Sequence, residues 1–177
     1  ATSFIRHFLV GEYSGNTDTY WSVNVWKDRY DEQFHVGPVW DFDLAFENDG
    51  RTYPINRQSN FMALSGVSSS ATGVRSFITR ILKASEELLK EEWSRARCVN
   101  GLTPEHMLAF VDSLAQLADD SQQLNFTRWP ILNTRVHQNF QALGSYEDEV
   151  EFMKQYMEPP LSKEIIGRVF DGLGRPV

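Results

Sequence analysis

The chain has very little cysteine, no long apolar run and few basic residues. Cys98 is its one cysteine among 177 residues, which excludes an internal disulfide. No apolar stretch approaches the roughly 18 residues of a membrane-spanning helix, so no span is predicted. Lys and Arg number 17 against 24 Asp and Glu, and the net charge is −7. This acidity argues against nonspecific binding to nucleic acid, which requires a basic face.

Several common signatures of catalysis are also missing. The sequence has no GxxxxGK[ST] phosphate-binding loop and no GxSxG serine nucleophile motif. Its histidines have no HxxxH or CxxC companion, so a zinc site is not indicated. The hydrophobic content of 41% and the aromatic content of 13% are ordinary for a globular chain of one-domain length. The sequence therefore predicts an acidic globular domain without these common catalytic motifs.

The periodicity of apolar residues predicts an α+β fold that is mostly α, with a small antiparallel hairpin and a helical bundle. Thr103 and Pro104 mark one helix start, and Ser145 marks another. The long polar stretch at 47–72 is predicted to be a loop. The predicted strands are 23–27 and 33–40, and the predicted helices are 2–13, 74–97, one from 104 to about 118, 129–142 and 146–157.

Two acidic segments stand out. GPVWDFDLAF, residues 37–46, places Asp41 and Asp43 in a run of large apolar side chains. Removing a carboxylate from water is costly unless a cation or N–H groups compensate it, so this pattern favours a divalent-cation site at a strand end. The alternative is that Asp41 caps a turn and Asp43 is solvated. Upstream, GEYSGNTDTY places Asn16 and Asp18 in a segment rich in turn residues.

Together, GNTD and WDFD resemble the motifs of the CotH family of spore-coat-type atypical protein kinases. The similarity covers about residues 3–157 and includes NFTRWPIL and SYEDEVEFMKQYM further on. It implies the C-terminal portion of a CotH-like kinase domain over residues 1–157, resembling the C-terminal lobe of an atypical kinase. Residues 158–177, which include Pro159 and Pro160, are predicted to form a separate tail, because proline stops the preceding helix.

The resemblance assigns roles to individual residues. Asp18 matches the catalytic-loop aspartate and Asp41 the metal-binding aspartate, with Asp43 as a second ligand. Asn24, six residues after Asp18, is a further candidate metal ligand at an unusual offset. Its alternative interpretation is an outward-facing strand residue.

Two further residues are candidates for binding the cofactor. Asn16 is one, and the alternative is that it braces the loop by hydrogen bonding to backbone, as Asn does in turns. Trp40 either packs against adenine or fills the core.

The function implied by the resemblance is Mg²⁺-dependent transfer of phosphate from ATP to Ser or Thr of coat or surface proteins, in an extracytoplasmic, cell-surface or spore-coat location. A kinase also needs a phosphate-covering loop and a nucleotide-gripping lysine, and neither precedes Asp18 in this sequence. We therefore expect the parent protein to use Mg²⁺ and ATP, and this chain to be inactive alone. The alternative function is a noncatalytic interaction domain of a surface or coat assembly. A glycosidase with Asp18 and Asp41 in one cleft is also conceivable.

Overall fold

A computed structural model of the chain describes residues 1–21, 23–55 and 71–158. These residues form six helices and one two-stranded antiparallel sheet, which confirms the predicted fold class. In chain order the elements are α1 (Thr2–Ser14), β1 (Val25–Trp26), β2 (His35–Val36), α2 (Thr72–Ala84), α3 (Glu86–Cys98), α4 (Pro104–Leu117), α5 (Asp119–Arg128) and α6 (Tyr146–Met157). None of these helices is long and apolar enough to cross a membrane.

Helix α1 lies at the centre of the fold and ends at a glycine. Gly15 adopts left-handed backbone angles, with φ 62°, and its N–H donates to the carbonyl of Glu12. Glycine tolerates this conformation because it has no Cβ, so the helix ends here and a loop begins. The predicted helix at 2–13 is therefore confirmed, with its last residue at Ser14.

The hairpin is present but shorter than predicted. Val25 pairs with Val36 and Trp26 with His35, so each strand has two residues rather than the five and eight expected from 23–27 and 33–40. The N–H of Gly37 still donates to the carbonyl of Asn24 at 3.1 Å. The next residue, Pro38, has no N–H to offer, which ends the ladder.

Two predicted helices were wrong in extent or place. The helix predicted at 74–97 is two helices that meet at Ser85, whose φ of −120° departs from helical geometry. The helix predicted at 129–142 is absent, and residues 129–144 form turns and extended backbone. Helix α5 occupies Asp119–Arg128 instead and ends before Trp129, because the ring of Pro130 disfavours a helical conformation for the residue before it.

The helix starts at Thr103 and Ser145 are confirmed. The Thr103 hydroxyl accepts from His106 N at 3.3 Å, and the Ser145 hydroxyl accepts from Asp148 N at 3.0 Å. Of the predicted loop at 47–72, residues 47–55 form turns and bends, and residues 56–70 lie outside the described residues. All of the predicted tail except Glu158 also lies outside them.

One apolar core joins α1 to the helices around it. Its buried members are Ile5, Phe8, Leu9, Tyr13, Ile55, Ile78, Leu82, Leu89, Trp93, Val111, Tyr156 and Met157. Salt bridges link helices at its edge, from Arg6 on α1 to Glu92 on α3 at 2.7 Å and from Lys154 on α6 to Asp112 on α4 at 2.8 Å. The core thereby fixes the C-terminal end of α1, where the GEYSGNTDTY segment lies.

Candidate functional site

The loop after α1 holds Asp18 through its own side chains and backbone. The Asn16 side-chain oxygen accepts a hydrogen bond from Asp18 N at 3.1 Å, and the Asp18 carbonyl accepts from Trp21 N at 2.9 Å. Asn16 is 2% exposed. The predicted bracing by Asn16 is therefore confirmed, whereas its role towards a cofactor stays a prediction.

Gly11 allows this loop to lie directly against α1. A Cβ added at Gly11 would lie 2.5 Å from the Oγ1 atom and 2.6 Å from the Cγ2 atom of Thr19. Thr19 is buried, and its hydroxyl donates to the carbonyl of Asn16 at 2.7 Å. The Nε2 atom of His7 donates to the Thr19 carbonyl at 3.0 Å. The loop is thus held against the helix by close packing and by hydrogen bonds.

The Asp18 carboxylate is part of a cluster of charges that the sequence did not reveal. The Nη2 atom of Arg51 lies 3.1 Å from Asp18 Oδ2 and 2.8 Å from Asp49 Oδ2. The Asp49 side chain is 2% exposed, whereas that of Asp18 is 36% exposed. Thr17, next to Asp18, donates its hydroxyl hydrogen bond to Asp49 Oδ2 at 3.2 Å. Arg51 therefore bridges one buried and one accessible carboxylate.

Hydrogen bonding keeps Asp49 and Arg51 charged. Burial raises the pKa of Asp49, but hydrogen bonds from the Arg51 side chain and backbone outweigh burial and hold that pKa below its usual value. The hydrogen bonds to Asp49 and then to Asp18 raise the pKa of Arg51 above its usual value. Asp49 and Arg51 therefore form a lasting ion pair at neutral pH.

The turn that carries Asp49 is anchored to the segment before α6. Gly50 N donates to the carbonyl of Gln138 at 2.7 Å, and Phe140 N donates to the carbonyl of Asn48 at 2.9 Å. Asp49 and Asn139 form an isolated antiparallel bridge. The position of Asp49 thus depends on residues about 90 positions later in the chain.

The residues that follow WDFD are hydrogen-bonded to the same end of α1. Phe46 N donates to the carbonyl of Ser14 at 2.7 Å, while Leu44 and Ala45 are buried. Asp41 and Asp43 are exposed, and the carbonyl of Asp43 accepts a hydrogen bond from the Asn48 side chain. The two carboxylates are therefore accessible to an ion from solvent.

The other predicted ligands are accessible as well. Trp40 is 62% exposed, so the interpretation of this residue as core is wrong. Asn24 is also exposed, but it lies just before β1 and not in the strand, so its interpretation as a strand residue is wrong. Within residues 1–21, 23–55 and 71–158, no three His, Cys, Asp or Glu side chains are grouped so as to hold a metal ion. A cation at Asp41 and Asp43 would therefore take most of its ligands from water or a bound phosphate.

The structure brings Asp18 together with Asp49 and Arg51, whereas a common site for Asp18 and Asp41, which both the kinase and the glycosidase interpretations require, stays a prediction. Asp49 and Arg51 escaped the sequence analysis because a buried aspartate and a solvated turn aspartate look the same in sequence. The signal present was Asn48-Asp49-Gly50, a turn-forming series followed by an arginine.

Comparison with known proteins shows the family of this chain. A family model described as CotH kinase protein matches residues 1–162. The chain belongs to the CotH kinase family. No curated protein and no solved structure gave a match to the chain. The resemblance of the GNTD and WDFD segments to CotH motifs is therefore confirmed at the level of the family, and both segments lie within the matched CotH region.

Proposed function

We propose that this chain carries the carboxylates with which a CotH-type kinase transfers the γ-phosphoryl group of ATP to Ser or Thr of coat or surface proteins. The observation that supports this most is the setting of Asp18. Its backbone is held by Asn16 and its side chain by Arg51, yet about a third of that side chain stays exposed at 36%. An orienting base needs both a fixed position and access to substrate.

In the proposed reaction, Asp18 accepts a hydrogen bond from the substrate hydroxyl. The carboxylate takes the hydroxyl proton as the hydroxyl oxygen bonds to the γ-phosphorus. The bond between that phosphorus and the β–γ bridging oxygen breaks, and ADP leaves with the bond's electron pair. Asn16 is 2% exposed and bonded to Asp18, so its part is to hold the loop.

Asp41 and Asp43 are the proposed Mg²⁺ ligands, with Asn24 as a third candidate. Exposed carboxylate oxygens in this number suit Mg²⁺, which takes one or two carboxylates together with phosphate oxygens and water. When bound, the ion neutralises charge on the phosphates. Trp40 presents an exposed indole ring that suits stacking on adenine.

The nucleotide-gripping groups are proposed to come from outside these residues. The carboxylates supply the proposed base and metal ligands, whereas Lys27 lies in the hairpin turn and the 177 residues contain no GxxxxGK[ST] loop. We therefore propose that this chain alone binds Mg²⁺–ATP weakly and transfers no phosphate, and that the full gene product containing it does both.

A noncatalytic interaction domain is the second candidate, because α4 leaves an apolar face exposed. Phe110, Leu114 and Leu117 follow helical spacing and are 50%, 46% and 81% exposed. Such a face suits contact with another protein.

Calorimetry and radiolabel transfer separate the two candidates. In the full gene product, Asp41→Ala is expected to remove Mg²⁺-dependent ATP binding. Asp18→Ala is expected to spare binding and lower kcat by about 10²–10⁴-fold, because a base acts mainly on the chemical step. Asp28→Ala, in the exposed hairpin turn, is the control. Equal transfer by wild type and Asp18→Ala would remove the catalytic role, and tight ATP binding by the 177-residue chain alone would refute the proposed division of the site.

A further inference from the structure

We infer that Arg51 is a positioning residue for Asp18 and that Asp49 is its anchor. This inference rests on the proposed function, because it assigns Asp18 the base role. Neither Arg51 nor Asp49 belongs to the GNTD or WDFD segments. Both were found by the contacts that they make.

Asp49 holds the Arg51 side chain in place independently of the contact with Asp18. Its Nε atom lies 2.9 Å from Asp49 Oδ1, its Nη2 atom 2.8 Å from Asp49 Oδ2, and its own backbone N donates to Asp49 Oδ1 at 2.9 Å. This is the two-pronged pairing for which the planar guanidinium is suited. Because Asp49 is buried and its turn is hydrogen-bonded to residues 138–140, it holds the Arg51 guanidinium in a fixed position.

This anchoring distinguishes the contact from an ordinary surface ion pair. An exposed pair contributes little, in part because two long side chains must be ordered to make it. Here the order of Arg51 is already imposed by Asp49, so the contact with Asp18 restrains only the short aspartate side chain. The hydroxyl of Thr17 makes a second link from the loop to Asp49, at 3.2 Å. Consecutive residues of the loop are thus tied to the same anchor.

The contact also leaves part of Asp18 available. Arg51 donates to Oδ2 at 3.1 Å, and among the described residues Oδ1 accepts no hydrogen bond. Oδ1 of Asp18 is therefore available to accept a hydrogen bond from a substrate hydroxyl, while Arg51 holds Oδ2 in place. Misplacement of a catalytic group by about 1 Å costs roughly 10²-fold in rate, so a fixed orientation has a large effect on turnover.

Steady-state kinetics of the full gene product test the inference. Arg51→Ala is expected to lower kcat by about 10–100-fold and to leave the KM for ATP within about twofold. Added guanidinium is expected to restore part of the lost kcat, because it can occupy the vacated position. Arg51→Lys keeps the positive charge but loses the bidentate guanidinium, so its kcat is expected to lie between those of wild type and Arg51→Ala. If Arg51→Ala does not fold, Arg51→Lys is the variant that tests the inference.

Arg95→Ala is the matched control. Arg95 is 48% exposed against 44% for Arg51, and it also lies near two carboxylates, those of Glu91 and Glu92. The control is expected to keep wild-type kcat and to show no guanidinium effect. If Asp18→Ala lowers kcat while Arg51→Ala and Arg51→Lys leave it unchanged, the inference about Arg51 is overturned and the proposed function stands.

Hydrogen exchange of the 177-residue chain gives a second readout that needs no activity. Loss of the Arg51 contact is expected to speed exchange at the amides of Asp18 and Trp21, which close the loop, and Arg95→Ala is expected to leave them unchanged. If the full gene product transfers no phosphate at all, the proposed function fails, and hydrogen exchange alone tests whether Arg51 positions Asp18. Unchanged exchange at both amides in the Arg51 variants would overturn the inference about Arg51.

Discussion

Substitution of Gly11 by alanine tests how closely the loop with Asp18 packs on α1. In most helices this change stabilises, because alanine has a higher helix propensity than glycine by about 1 kcal/mol. Here the new Cβ would lie 2.5 Å from Thr19 Oγ1 and 2.6 Å from Thr19 Cγ2. These distances lie inside van der Waals contact, so Thr19 or the helix must move.

The expected cost exceeds the gain in propensity. Overpacking a well-filled site costs about 1–3 kcal/mol. Displacement of Thr19 also weakens the hydrogen bond from its hydroxyl to Asn16, which contributes about 1 kcal/mol more. The net result is a loss of about 1–3 kcal/mol in the free energy of unfolding, which lowers Tm by about 3–10 °C for a chain of this size.

Thermal and urea unfolding of four variants measure this effect. Gly73→Ala is the matched control, because Gly73 also lies in a helix but no atom of the described residues lies within 4 Å of the added Cβ. It is expected to leave stability unchanged or to raise it by up to about 1 kcal/mol. Thr19→Ala removes both clashing atoms, so the double variant with Gly11→Ala is expected to be more stable than the sum of the single changes, by at least about 0.5 kcal/mol. A Gly11→Ala protein as stable as Gly73→Ala, or strict additivity in the cycle, would refute the packing argument.

Two further changes test the core and the charge cluster. Leu82→Ala, at a site that is 0% exposed, is expected to lower the free energy of unfolding by about 2–5 kcal/mol in urea titration, whereas Leu124→Ala, 74% exposed on α5, should change it by no more than about 0.5 kcal/mol. The pKa of Asp49 is lower in the folded state than its ordinary value of 3.8, so the stability from its ionised form is present above that value and is lost as pH falls through the lower folded pKa. Chemical unfolding between about pH 6 and pH 2 should therefore show a smaller acid-induced loss in Asp49→Asn than in wild type; equal losses in the two proteins would contradict the role assigned to the pair.

The parts of the fold that the sequence predicted are those set by local chemistry. Helices that begin at Thr103 and Ser145 were placed correctly because a capping hydroxyl is visible in sequence. The end of α1 was placed within one residue because Gly15 marks it. These signals act within one turn of chain and need no knowledge of packing.

The errors came where an apolar pattern continued across a break. Leu88, Leu89 and Trp93 extend the spacing of α2, so a single helix was predicted across Ser85. Apolar residues after Pro130 suggested a helix, but the proline ends α5 and His137 takes a positive φ of 49°. Apolar spacing reports which residues face a core, and it does not report whether one helix or two supply that face.

The candidate site divides in the same way. Asn16 was predicted because an asparagine in a glycine-bounded turn commonly bonds to nearby backbone, and it does so here. Asp49 was missed because its importance lies in its burial, and Arg51 was missed because it contacts Asp18, more than 30 positions earlier. Such contacts depend on the folded arrangement of distant segments.

The pairing of the Asp49 turn with residues 138–140 has a consequence for synthesis of the protein on the ribosome. The hydrogen bonds from Gly50 N to the Gln138 carbonyl and from Phe140 N to the Asn48 carbonyl join positions that are translated far apart. We therefore expect the ion pair that holds Asp18 to reach its native geometry only after residue 140 has left the exit tunnel. Until then the nascent chain carries both acidic motifs without the scaffold that orients them, and the completed site is among the last features of the domain to form.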